Sequence, residues 1–260
     1  MSHLLERPDS SLVARLAPSP NFGERRGAGN IDMIVLHYTG CPSAESAELW
    51  MCAAESQVSA HYLVEEDGAI VQLVAEEARA WHAGVAFWAG EEDVNSRSIG
   101  IEIQNAGHAC GAPPPYPEPQ MAAVEALVAD VARRHGVPPE RVVGHSDVAP
   151  LRKADPGEHF PWARLAAAGL ALPVPDAPEG GEVLLREGDV GAAVLRLQRR
   201  LRRIGYGAPE SGAFCAHTAA VMRAFQRRFR PAGVHGEFDA GTAEALQAVL
   251  AMLDGRAAGA

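Results

Sequence analysis

Apolar positions recur along the chain with two different periods. Residues 31–37 alternate so that Met33, Val35 and His37 share a face. Residues 98–104 put Ile99, Ile101 and Ile103 on one side and Glu102 on the other. Both stretches predict strands. Residues 64–74 hold Glu66, Asp67 and Gly68 between apolar runs, a hairpin signal. The period becomes helical over 121–134, where Val124, Leu127, Val128 and Val131 recur before Gly136 and Pro138. Interleaved strands and helices predict an α/β fold, a mixed sheet flanked by helices.

The pattern breaks at 171–182, where three prolines and two glycines without a period read as a linker. This divides the chain into residues 1–170, the linker 171–182, and residues 183–260. In the last part Val190, Val194, Leu197, Leu201 and Ile204 mark an amphipathic helix. A G-x-F-x-x-x-T repeat then appears twice, at Gly212, Phe214 and Thr218 and at Gly236, Phe238 and Thr242. Each Thr is expected to N-cap the helix that follows, giving a small all-α unit of three helices. That unit holds no acid/base set, so it is expected to bind, tethered through the linker.

Charge divides at the same point. Residues 1–170 carry 12 basic and 23 acidic side chains, and residues 171–260 carry 11 and 10. An acidic first unit excludes general nucleic-acid binding, which needs a basic stripe. Every apolar run is too short for a membrane span. The four cysteines, Cys41, Cys52, Cys110 and Cys215, form no C-x-x-C pair and are expected to be free, mostly buried thiols. Lys153 is the single lysine among 23 basic residues, so it stands where Arg was not used.

Of ten histidines, His3, His108, His135, His159, His217 and His235 lack a convincing partner in sequence. His37 and His145 each end an apolar run, and Asp155 follows ten residues after His145. Two imidazoles and a carboxylate at strand ends can form a tetrahedral zinc site with one position open. The competing chemistry is a serine nucleophile at Gly144-His145-Ser146-Asp147-Val148, but Val148 replaces the last glycine of the nucleophile elbow. Ser146 and Asp147 are then left to shape a turn.

Several short stretches together resemble one family. They are Ser19-Pro20-Asn21-Phe22, residues 34–39, Ser59-Ala60-His61-Tyr62, Trp81-His82-Ala83-Gly84, residues 98–102, and residues 144–157 with Asp155-Pro156-Gly157. In this order they are similar to the type-2 zinc N-acetylmuramoyl-L-alanine amidases, a family that includes the peptidoglycan recognition proteins. Residues 183–260 resemble the three-helix peptidoglycan-binding domain.

The resemblance implies one zinc held by His37, His145 and Asp155, with Glu102 as general base and Lys153 stabilising the oxyanion. It implies that His61, Trp81 and His82 line a substrate groove, although Trp81 suits a core equally well. The implied substrate is peptidoglycan or muropeptides, with the non-catalytic recognition proteins as the alternative; a monomer is expected. The first ten residues hold no apolar stretch of the ~7–15 residues an export signal needs, so the encoded chain points to the cytoplasm. The wall-binding unit points instead to the periplasm or envelope. Loss of residues 171–260 is expected to spare cleavage of small substrates.

Overall fold

A computed structural model describes residues 5–27 and 30–257. His3 and the start of the N-terminal stretch lie outside them, as does the side chain of Cys110. In chain order the first part forms β1 (Arg15–Leu16), β2 (Phe22–Glu24), β3 (Met33–Tyr38), α1 (Ala44–Cys52), β4 (Tyr62–Val64), β5 (Ile70–Gln72) and β6 (Ala78–Ala80). It continues through α2 (Val94–Arg97), β7 (Ser98–Ile103), α3 (Glu118–His135), β8 (Val142–Gly144), α4 (His145–Val148) and α5 (Trp162–Ala167). The main sheet runs β1-β5-β4-β7-β3-β8, and β2 pairs with β6 alongside it.

Strand β3 lies parallel to both β7 and β8, and β4 and β5 form the expected antiparallel hairpin. Strands buried on both faces read as continuous apolar runs, which accounts for Met33, Ile34, Val35 and Leu36 standing together. One face, with Ile34, Leu36, Ile99, Ile101 and Ile103, is covered by Val124, Leu127, Val128 and Val131 of α3. Helix α3 ends where Gly136 turns left-handed at φ 68°.

The C-terminal part forms β9 (Val183–Leu185), α6 (Ala192–Ile204), α7 (Ala216–Phe229), β10 (Phe238–Asp239) and α8 (Ala240–Ala257). Three helices are present as expected, joined by a short antiparallel β9–β10 ribbon. The repeat is built differently from the expected caps. Thr218 and Thr242 sit inside their helices and accept from the buried Gln198 and Gln226 side chains at 3.0 and 3.1 Å. The same two Gln carbonyls accept the Gly212 and Gly236 amides at 2.9 and 2.8 Å. Each Gln thus stitches one helix to the turn before the next, and Asp239 caps α8 by accepting the Thr242 amide at 2.8 Å.

The second unit, expected to be joined through a linker, also packs against the first. Met33, Val35 and Val143, on the second face of the main sheet, belong to one apolar core with Trp88, Leu201, Tyr206, Phe225 and Phe229. Leu172 joins that core and Ala171 the core under α3, so the linker is packed from its first residues. The sheet has a second apolar face to bury, and the three-helix unit covers it. The described thiols differ in part from expectation: Cys41, Cys52 and Cys215 are free, but Cys41 and Cys52 are half-buried and Cys215 is exposed.

Candidate metal centre

The parallel register places His37 opposite Glu102 on adjacent strands, both on the sheet face away from α3. His145 opens α4 directly after β8, and Asp155 lies in the loop beyond it, before a cis peptide bond to Pro156. The Ser146 amide donates to the Asp155 carbonyl at 2.9 Å, so these two candidate ligands belong to one clasp. Gly144 allows the clasp to close, since a Cβ there would meet Pro156 Cδ at 2.7 Å.

The three side chains converge. His37 Nδ1 and His145 Nδ1 stand 2.8 Å apart, and Asp155 Oδ2 lies 3.1 and 2.9 Å from them. Their hydrogen bonds assign the tautomers. His145 Nε2 lies 3.1 Å from the Ala83 carbonyl, which only accepts, so Nε2 carries the proton. The Ser98 hydroxyl donates to the Val94 carbonyl at 2.6 Å and therefore accepts from His82 Nε2 at 3.2 Å. His82 Nδ1 is then an acceptor, which the protonated His37 Nε2 meets at 3.1 Å.

Both Nδ1 atoms are left with lone pairs aimed at each other and at a carboxylate. Such a cluster is repulsive unless a cation occupies its centre, and a two-nitrogen, one-oxygen set suits zinc. The residues present therefore fit a metal ion, and they are the group among the described residues whose ligand atoms all lie within 4.8 Å.

Electrostatics agree with the donor set. Burial, reinforced by His145, holds His37 down to about 4. Burial pushes Asp155 upward, but His145 and His37 outweigh it and keep the carboxylate well below its usual range. Burial drives Glu102 well above the ordinary carboxyl value, reinforced by Asp155 and opposed by Lys153. Glu102 Oε2 is buried and has no hydrogen-bond partner.

Glu102, His145, Lys153 and Asp155 line a cavity of about 310 Å³ with Trp50 and Trp81. Lys153 is exposed at its edge. Trp81 thus faces the groove rather than a closed core. His82 reaches the cavity wall, but its two nitrogens contact His37 and Ser98, so it meets a candidate ligand rather than offering a free nitrogen to the cavity. His61 does not reach the groove, contrary to expectation. It is fully buried, its Nδ1 accepts the Gly100 amide at 3.0 Å, and its Nε2 donates to the Ala78 carbonyl at 3.2 Å.

Trp50 was not singled out by sequence, although it is 57% exposed at the cavity rim. Its signal is its place off the Ala47/Met51 stripe that buries α1. Asp147 does more than shape a turn. It is 1% exposed, accepts the Gly144 amide at 2.8 Å, and accepts from Tyr206 and Arg228 of the C-terminal unit at 2.7 and 3.2 Å.

Comparison with known proteins agrees with this geometry. The N-acetylmuramoyl-L-alanine amidase family model matches residues 27–158, and a peptidoglycan-binding domain model matches 190–246. AmiD of Escherichia coli is 36% identical over 232 residues, covering 85% of this chain and 82% of AmiD. The 1,6-anhydro-N-acetylmuramyl-L-alanine amidase AmpD of Citrobacter freundii is 34% identical over 171 residues, covering 59% of this chain and 89% of AmpD.

Among solved structures, E. coli AmiD in complex with anhydro-N-acetylmuramic acid-L-Ala-D-γ-Glu-L-Lys superposes with a TM-score of 0.71 at 32% identity, covering 89% of this chain and 98% of that one. AmpDh3 of Pseudomonas aeruginosa gives 0.68 at 32% identity, covering 89% and 93%. Together with the converging ligands and the orphaned Glu102, these matches mean that the chain belongs to the N-acetylmuramoyl-L-alanine amidase family.

Proposed function

We propose that this chain hydrolyses the amide joining the lactyl group of N-acetylmuramic acid, or its 1,6-anhydro form, to the L-alanine of a peptidoglycan stem peptide. The observation that carries this reading is the convergence of the His37, His145 and Asp155 ligand atoms beside a cavity that His145, Asp155 and the partnerless Glu102 line. His37, His145 and Asp155 would hold the zinc. When bound, zinc lowers the pKa of water to about 7 and polarises a carbonyl oxygen.

Glu102 takes a proton from the attacking water at its free Oε2 and delivers it to the departing alanine nitrogen. Burial raises its proton affinity, which suits a group that must gain the proton and later part with it. Lys153, at the cavity edge, places a compact ammonium where negative charge grows on the carbonyl oxygen. Trp81 and Trp50 offer flat apolar faces on the wall for the sugar and stem peptide. The substrate of the AmiD complex, an anhydromuramyl tripeptide, supports that choice of ligand.

The division of labour is part of the proposal: residues 1–170 cleave, and 183–260 engage the polymer through the fold that matches a peptidoglycan-binding domain. The zinc-loaded protein should release free stem peptide from an anhydromuramyl tripeptide and leave a sugar-free tripeptide intact, as followed by mass spectrometry. Cleavage of the sugar-free peptide at a comparable rate would make the protein a general peptidase instead.

A further inference from the structure

The C-terminal unit grips the segment that carries two of the three ligands. Asp147 lies two residues after His145, in the same short helix, and its carboxylate receives three donors. One is the local Gly144 amide; the other two, the Tyr206 hydroxyl and the Arg228 guanidinium, come from the C-terminal unit. Arg228 and Asp147 are both buried, with side chains 4% and 1% exposed, so neither has water as a substitute partner. The guanidinium also stacks on Trp162, 4.1 Å from its ring. Trp162 in turn packs against Gly144, where a Cβ would lie 3.4 Å from its ring.

A second arm starts one residue earlier in α7. Arg227 pairs with Glu158 at 3.7 Å, Glu158 accepts from His108 Nε2 at 3.1 Å, and His108 Nδ1 meets the Tyr38 hydroxyl at 2.9 Å. Tyr38 follows His37 in β3 and lines the cavity. Adjacent arginines of α7 therefore reach both sides of the candidate metal centre. The Ser146 amide bond to the Asp155 carbonyl ties the helix that carries His145 and Asp147 to the loop that carries Asp155, so both ligands share the support that Asp147 receives.

We infer that Tyr206 and Arg228 are positioning residues of the amidase site. By fixing Asp147, the C-terminal unit sets the geometry in which His145 and Asp155 hold metal, in addition to engaging polymer. This rests on the amidase reading above. It also means that the two units are coupled through the clasp, so that loss of the Tyr206 or Arg228 contact with Asp147 is felt at the metal.

The test uses the full chain with cobalt(II) as a visible substitute for zinc. Tyr206→Phe keeps the ring and deletes one donor to Asp147, while Arg203→Ala alters an exposed pair with Asp254 elsewhere in the same unit. Losing an outer partner of a metal ligand usually weakens metal affinity or activity by about 10–100-fold. One step further out, Tyr206→Phe should weaken cobalt(II) binding by about tenfold in competition with a chelator. It should also alter the cobalt absorption spectrum and lower kcat on a soluble muropeptide with KM nearly unchanged. Arg203→Ala should match the native protein in all three.

If Tyr206→Phe does not fold, Arg228→Lys carries the same comparison, since it keeps a cation near Asp147 but loses the stacked fork. Variants with native cobalt affinity and spectrum would overturn the inference, leaving the contacts as interdomain packing alone. A native protein that binds neither cobalt nor zinc would overturn the amidase reading itself, a result distinguishable because it needs no variant.

Discussion

The two halves of the molecule bury polar side chains in opposite ways. In the C-terminal unit Gln198 and Gln226 are fully buried, and each gives its amide hydrogens to a carbonyl and a threonine while accepting a glycine amide. In the first unit the buried His37, His145 and Asp155 turn lone pairs toward a common point, and Glu102 keeps a buried oxygen with no partner. Hydrogen bonds that close among themselves hold a fold. Acceptors that converge on one point suit a ligand that all of them can hold.

The contrast can be broken most sharply at Glu102. Glu102→Gln keeps the shape but cannot take a proton, so kcat on a soluble muropeptide should fall by about 10²–10⁴, the usual worth of a positioned acid/base group, while metal analysis still finds zinc. An enzyme that keeps its rate after this change would place the base elsewhere. Lys153→Ala should cost somewhat less, about 10²–10³ in kcat with zinc retained, and Lys153→Arg should restore part of it because the charge remains but its shape differs. If Lys153→Ala instead loses zinc together with activity, the ammonium serves to shield Asp155.

The same comparison predicts an effect of the opposite kind in the C-terminal unit. Gln226→Ala leaves the buried Gly236 amide and the Glu237 carbonyl without their partner. Stability should drop by about 1–3 kcal/mol in a urea titration, with kcat on a small substrate nearly unchanged. A large loss of rate without a loss of stability would show that this buried glutamine is functional after all.

Much of this division was legible in the sequence. Alternation placed β3 and β7, and the strand-end positions of His37 and His145 with Asp155 ten residues on pointed to a metal. Partners that depend on tertiary geometry were not legible. His82 and Ser98 stand 16 residues apart, and only the folded relay shows that they settle which nitrogen of His37 is free. His61 sits in a stretch typical of the family yet points into packing around Gly100.

The packing of the linker was not legible for a related reason. Proline and glycine content reports local flexibility, whereas Leu172 is held by a core assembled from both units. Asp147 reads as a turn residue because its two decisive partners lie 59 and 81 residues away. The repeat was visible, but its purpose was not, since each Thr pairs with a Gln on the preceding helix rather than with its own helix start.

Under the proposed function, His37, His145 and Asp155 hold one zinc on which cleavage depends. It is tested most directly by stripping the protein with a chelator and titrating zinc back while following muropeptide cleavage and bound metal on the same samples. Activity should be absent in the stripped protein, rise in step with occupancy and saturate at one zinc per chain, and His145→Ala should show neither binding nor recovery. Full activity in protein shown to be free of metal, or saturation that survives His145→Ala, would contradict it.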